Sequence, residues 1–138
     1  MKTILFAIGN NARQDDGLGW AFGEALERGS LFDVEVHYRY QLQVEDADLI
    51  AEADKVVFVD AHKGALPGGF QWKEVVPSAN FEFTTHALSP EAVLFLCKDL
   101  YGKKPMAYCM LIGGEAWELD MALTETGKRN LEAALELF

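Results

Sequence analysis

Short apolar runs alternate along this chain with longer stretches of helical spacing, and that alternation restricts the fold more than any other feature. Residues 2–8 carry Ile4-Leu5-Phe6-Ala7-Ile8, apolar at consecutive positions as in a parallel strand buried on both faces. A polar turn over 9–17 separates it from 18–28, where Trp20, Phe22 and Leu26 fall among the apolar positions of a helix that Gly29 stops. Residues 32–40 alternate as Val34, Val36 and Tyr38, which predicts a second strand. Residues 45–53 read as a short helix, and 56–59 as a third strand that ends on Asp60. The run Gly64-Ala65-Leu66-Pro67-Gly68-Gly69 is a turn, and 70–76 alternates in the manner of an antiparallel edge strand. Ser89-Pro90-Glu91 opens a helix, with Ser as cap, Pro at the first helical position and an acid in the first turn. That helix runs to Tyr101, where Gly102 closes it. Residues 105–112 form a strand ending on Gly113-Gly114, and Thr124 caps a last helix carrying Leu131, Ala134 and Leu135. Such alternation predicts an α/β layered fold.

At 138 residues, residues 1–138 suit a single domain, and a chain that is 50% hydrophobic and 12% aromatic can bury a core. No stretch reaches the roughly 20 apolar residues that span a bilayer. The first eight residues resemble the start of a signal peptide, but the apolar run is too short and Gly9-Asn10 with a charged stretch follows it. The net charge of -10 argues against nucleic acid and against an anionic membrane surface. It suits a basic protein partner, or plain solubility. Cys97 falls in an apolar helical run and Cys109 in an apolar strand. With no C-x-x-C pair they are expected to be buried free thiols in a reducing cytoplasm rather than a zinc site. The surface carries no dimer signal, so a monomer is expected.

Right-handed crossovers bring the C-terminal ends of parallel strands to one edge of the sheet, where open α/β folds place their sites. Three polar segments collect there: 9–17, 60–64 and 113–115. The first holds Asp15-Asp16 at the mouth of a helix, yet lacks the glycine spacing of a dinucleotide loop or a P-loop. Either acid can cap the helix, and one can cap while the other faces the cleft. Asp60 stands at a strand tip, where an acid is either part of a site or a turn-former bonded to its own backbone. His62, two residues on, reads first as a surface residue. His86, in Thr84-Thr85-His86-Ala87-Leu88-Ser89-Pro90, sits just before a helix start. His37, inside an alternating strand without an acidic neighbour pattern, reads as structural. Asp16, Asp60 and His86 together make a set of two carboxylates and one imidazole. Such a set can bind a divalent transition metal with positions left open, so that the metal polarises a carbonyl or activates water. A serine nucleophile is not indicated, since no G-x-S-x-G elbow is present.

These segments resemble the motifs of the hydrogenase maturation proteases. The resemblance rests on Gly9-Asn10-x-x-x-x-Asp15-Asp16-Gly17-x-Gly19, on Val59-Asp60-Ala61 followed by Pro67-Gly68, on Thr85-His86-x-x-Ser89-Pro90, and on Ile112-Gly113-Gly114-Glu115. Order and rough spacing agree over nearly the whole chain. It implies a three-layer α/β/α sandwich with a twisted, mostly parallel sheet of the phosphorylase/hydrolase type. It also implies a cytoplasmic endopeptidase that removes a C-terminal peptide from the nickel-loaded large-subunit precursor of a nickel–iron hydrogenase. Asp16, Asp60 and His86 would be the catalytic, metal-contacting residues, and the nickel would arrive with the precursor.

Ala12 stands where the family often has a larger apolar residue, the chain is short for the family, and His62 replaces an apolar residue and would be a candidate fourth ligand. Two other functions would keep the same residues: a non-catalytic chaperone sensing the metal-loaded precursor, and a hydrolase acting on another metalloprotein or a small molecule. Trp117 and Glu118 fall near the same edge, where the tryptophan either covers the core or touches the peptide.

Overall fold

The computed structural model describes residues 1–29, 33–79 and 88–138. Strand Thr3–Ile8 (β1) leads through a 3-10 turn at Gln14–Gly17 into helix Leu18–Arg28 (α1). Strand Val34–Arg39 (β2), helix Asp46–Ile50 (α2) and strand Lys55–Lys63 (β3) follow. A tight turn at Pro67–Gly69 precedes strand Phe70–Glu74 (β4). Helix Pro90–Tyr101 (α3), strand Met106–Gly114 (β5) and helix Glu125–Leu137 (α4) complete the described elements. The strands form one sheet in the order β2-β1-β3-β5-β4, parallel except for β4, which runs antiparallel to β5.

Successive strand residues point to opposite faces, and the core divides accordingly. Ile4 and Phe6 of β1 join Val56 and Phe58 of β3 beneath Ile50 of α2 and Val93, Leu94 and Cys97 of α3. On the other face Leu5, Ala7, Val57 and Val59 meet Leu18, Phe22 and Leu26 of α1 and Ala134 of α4. Each fully buried Leu, Ile or Phe contributes roughly 1.5–3 kcal/mol. This two-sided burial is why the central strands are continuously apolar, and it produces the expected three-layer α/β/α arrangement. No helix among the described residues is long and apolar enough to cross a membrane.

Local signals set the helix ends. Ser89 Oγ accepts from the Ala92 N–H at 3.1 Å, and Gly102 closes α3 in the left-handed region at φ 67°. Thr124 Oγ1 accepts from the Gly127 N–H at 3.0 Å at the start of α4. The expected helix over 45–53 is shorter, with α2 giving way to turns after Ile50. The edge strand stops at Glu74, and the first residue of the expected strand over 32–40 lies outside the described residues. Strand β3 does not end on Asp60. It pairs with β5 from Lys55–Met106 to Lys63–Gly114, so Asp60, Ala61 and His62 are strand residues, as are Gly113 and Gly114. A strand pair can continue past the apolar core because its backbone groups are satisfied by the partner strand whatever the side chains.

Candidate functional site

The last rung joining β1 to β3 is Ala7–Val59, while β3 and β5 run on together to Lys63–Gly114. Asp60 is therefore the first residue of β3 past its last rung with β1, at the lip of a notch in the sheet edge. Two glycines fold the first loop over this notch. Gly9, at φ +139°, lets the chain turn back so that the Asn10 N–H donates to the Asp16 carbonyl at 3.0 Å. Gly19 lets α1 sit directly on the strand ends, since a Cβ there would collide with the carbonyl oxygens of Ile8 and Val59, the latter at 2.6 Å. This packing fixes the start of α1, and with it Asp16, whose charge is felt at Asp60.

Asp60 is half-buried, and one of its carboxylate oxygens accepts the Ala61 N–H at 2.8 Å. The bond to its own backbone is thus present, though within a strand rather than a turn. Burial raises the Asp60 pKa most, the Ala61 N–H lowers it, and the nearby charge of Asp16 raises it again, leaving it pushed up to about 7. Two carboxylates whose charges repel at a partly dry sheet edge would both gain from a shared cation.

Asp60 opens into a cleft of about 290 Å³ whose walls include Phe58, Cys109, Leu111, Lys73 and Glu91. Lys73 stands directly across from Cys109 in the β4–β5 register. Burial pushes the Cys109 thiol up to about 12; Lys73 opposes this while Asp60 and Glu91 add to it. Cys109 is thus a neutral thiol and a poor nucleophile at neutral pH. Both cysteines are buried and free, as expected. Nothing in the sequence pattern pointed to Cys109, Lys73 and Glu91 at this cleft, because their meeting depends on a strand register. Across the cleft, Arg39 pairs with the buried Asp46 at 3.0 Å, and Asp46 accepts the Gln43 N–H at 2.9 Å. These bonds pin the loop that carries the lining residues Tyr40, Gln41 and Leu42.

Neither acid of the first loop caps α1, whose N-cap is Gly17 with no side-chain bond. Asp15 turns inward instead and is fully buried. Its carboxylate accepts from the Glu115 N–H at 2.7 Å, the Ala116 N–H at 3.3 Å, the Thr124 N–H at 2.9 Å and the Thr124 hydroxyl at 2.6 Å. Burial alone would raise its pKa, but the Thr124 hydroxyl and the backbone bonds outweigh burial and hold it below the usual carboxylate value. Asp16, half-exposed, is left to face the notch.

His86 lies outside the described residues, as does all of Thr84 to Ala87. Among the described residues no group of three or more His, Cys, Asp or Glu side chains is placed to hold a metal ion. His62 is a strand residue and not a loop residue on the surface, and its Nδ1 is enclosed without a hydrogen-bond partner among the described residues. His37 is structural but does have an acidic neighbour: its Nε2 lies 2.7 Å from Glu35, two residues back on the same strand face, and its ring packs near Phe6. Trp117 belongs to neither apolar core; it packs over Gly114, with the Lys63 ammonium 5.6 Å from its ring centre.

No family model and no curated protein matches this sequence. Solved structures do. A hydrogenase maturating endopeptidase from E. coli, HybD, superposes with a TM-score of 0.75 at 22% identity, covering 99% of this chain and 89% of that one. The [NiFe] hydrogenase maturation protease HycI from Thermococcus kodakarensis gives 0.72 at 24% identity, covering 99% and 86%. HybD from Thermococcus kodakarensis gives 0.67 at 22% identity, covering 99% and 96%. Along almost its whole length, then, this chain has the fold of the hydrogenase maturation endopeptidases.

Proposed function

We propose that this protein is an endopeptidase that removes a C-terminal peptide from the nickel-loaded large-subunit precursor of a [NiFe] hydrogenase. The observation that supports this reading is the notch beyond the last β1–β3 rung, where the charge of Asp16 bears on Asp60, on a fold shared with solved hydrogenase maturation proteases. Asp16, Asp60 and His86 are the residues assigned to contact the metal. The nickel belongs to the substrate: it arrives in the precursor and engages carboxylates whose mutual repulsion it relieves. His86 stands two residues before Leu88, which lines the same cleft as Asp60. A metal held there would polarise the scissile carbonyl or an attacking water. The chain's own part is to present two acids on a rigid edge, and precursor without metal would offer those acids nothing to bind.

The test is to incubate the protein with nickel-loaded and nickel-free precursor and to weigh the products by mass spectrometry. Loss of a C-terminal peptide from the loaded form alone is expected. Asp16→Ala, Asp60→Ala and His86→Ala should each abolish processing, the first two with little loss of stability, because polar residues at a sheet edge add little to the core. Unchanged precursor that still binds the protein would instead indicate a metal-sensing chaperone.

A further inference from the structure

The loop between β5 and α4 has no regular structure, yet it is fixed. The Gln14 N–H donates to the Asp120 carbonyl at 2.6 Å, the Asp120 N–H to the Ala12 carbonyl at 3.0 Å, and the Glu118 N–H to the Gln14 side chain at 3.0 Å. With the Asp15 bonds at its base, this loop and the loop carrying Asp16 form one platform. Leu119 and Met121 stand on it with 75% of each side chain exposed. Other exposed apolar residues include Leu100, Met106 and Leu137, at element ends on the far edge of the sheet, and Tyr40 and Val44, in the segment after β2. Here two large apolar side chains project from a backbone already immobilised, in a setting where polar residues would serve the loop equally well. Glu115, Glu118 and Asp120 are exposed around them, and the cations nearby are Arg13 and Lys63, the latter over the Trp117 ring.

We propose that this platform is the docking surface for the body of the protein substrate, a partner presenting an apolar patch rimmed by lysine and arginine. The inference rests on the processing activity proposed above and adds where the substrate is held. A pre-ordered loop gives up little conformational entropy on binding, apolar side chains supply the contact area, and the acidic surround selects and steers a basic rim. Because Asp16 stands on the same platform, docking there brings the precursor's metal up to the notch in register. Contacts made equally in the bound complex and in the transition state should govern KM and leave kcat unchanged.

The experiment measures processing of nickel-loaded precursor at varied precursor concentration. Leu119→Ser with Met121→Ser, and separately Glu118→Lys, are compared with the unsubstituted protein after thermal unfolding has shown all of them folded. The double variant should raise KM by about tenfold or more with kcat retained. Glu118→Lys should raise KM less and flatten its rise with added salt. Unchanged KM in both variants, beside normal processing by the unsubstituted protein, would overturn the docking surface and leave the protease reading standing. Failure of the unsubstituted protein to bind or process loaded precursor would remove both.

Discussion

Successive residues of a 3-10 turn project about 120° apart, so the adjacent acids of Gln14–Gly17 cannot face the same way. Asp15 points into the molecule and Asp16 toward the notch, and their electrostatics follow from what each meets. Asp15→Ala would leave the donors of Glu115, Ala116 and Thr124 buried without an acceptor, each lost partner costing about 1–3 kcal/mol. We expect chemical denaturation to show a loss of more than about 3 kcal/mol, whereas Asp16→Ala stays within about 0.5 kcal/mol of the unsubstituted protein. Asp60 carries the opposite signature. Its pKa in the fold, about 7, lies above its usual value of 3.8, so the folded state binds the proton more tightly. Its contribution to stability is then complete below about pH 4 and is lost as pH rises through 7. Asp60→Asn should therefore raise Tm at pH 8, and the gap between the two proteins should close by pH 4. A constant gap across that range would mean that Asp60 is not held in a dry, repulsive setting.

Among the elements, those with local signals were legible in the sequence. Residues 18–28 and 90–101 form the expected helices, because the residues that mark their ends, Gly29, Ser89, Pro90 and Gly102, act on the turns directly beside them. The apolar strands and their two-sided burial were equally plain. What could not be read was anything set by pairing at a distance. The extension of β3 through Asp60 and His62 depends on β5, some fifty residues later, and Lys73 reaches the cleft only through its register with Cys109. The inward turn of Asp15 depends on partners about a hundred residues away. Of the candidate site, the charge of Asp16 bears on Asp60, while His86 lies outside the described residues. The element that sets the notch is the start of α1, so Gly19→Ala tests it. A methyl group pressed on two carbonyl oxygens must lift the helix, which we expect to cost about 1–3 kcal/mol by urea denaturation. The same variant should lose processing activity out of proportion to that cost, because Asp16 moves with the helix.

At the scale of the whole molecule, a charge of -10 on 138 residues is a standing repulsion. Screening should relieve the diffuse part. Thermal unfolding in rising sodium chloride, from about 20 mM to about 300 mM, should show an increasing Tm. A falling Tm would mean that ion pairs such as Arg39–Asp46 outweigh the net repulsion.

The carboxylate of Asp15 also imposes an order of events on synthesis. Residues 1–63 can bring β1, α1, β2 and β3 together as they leave the ribosome, but the acceptor at position 15 has no donors until residues 115, 116 and 124 have emerged. A nascent chain therefore carries Asp15 without its anchoring bonds until residue 124 has emerged. Until those residues are made, only the packing of α1 on the strand ends holds this loop, and Asp15 would sit in the interior without its four donors.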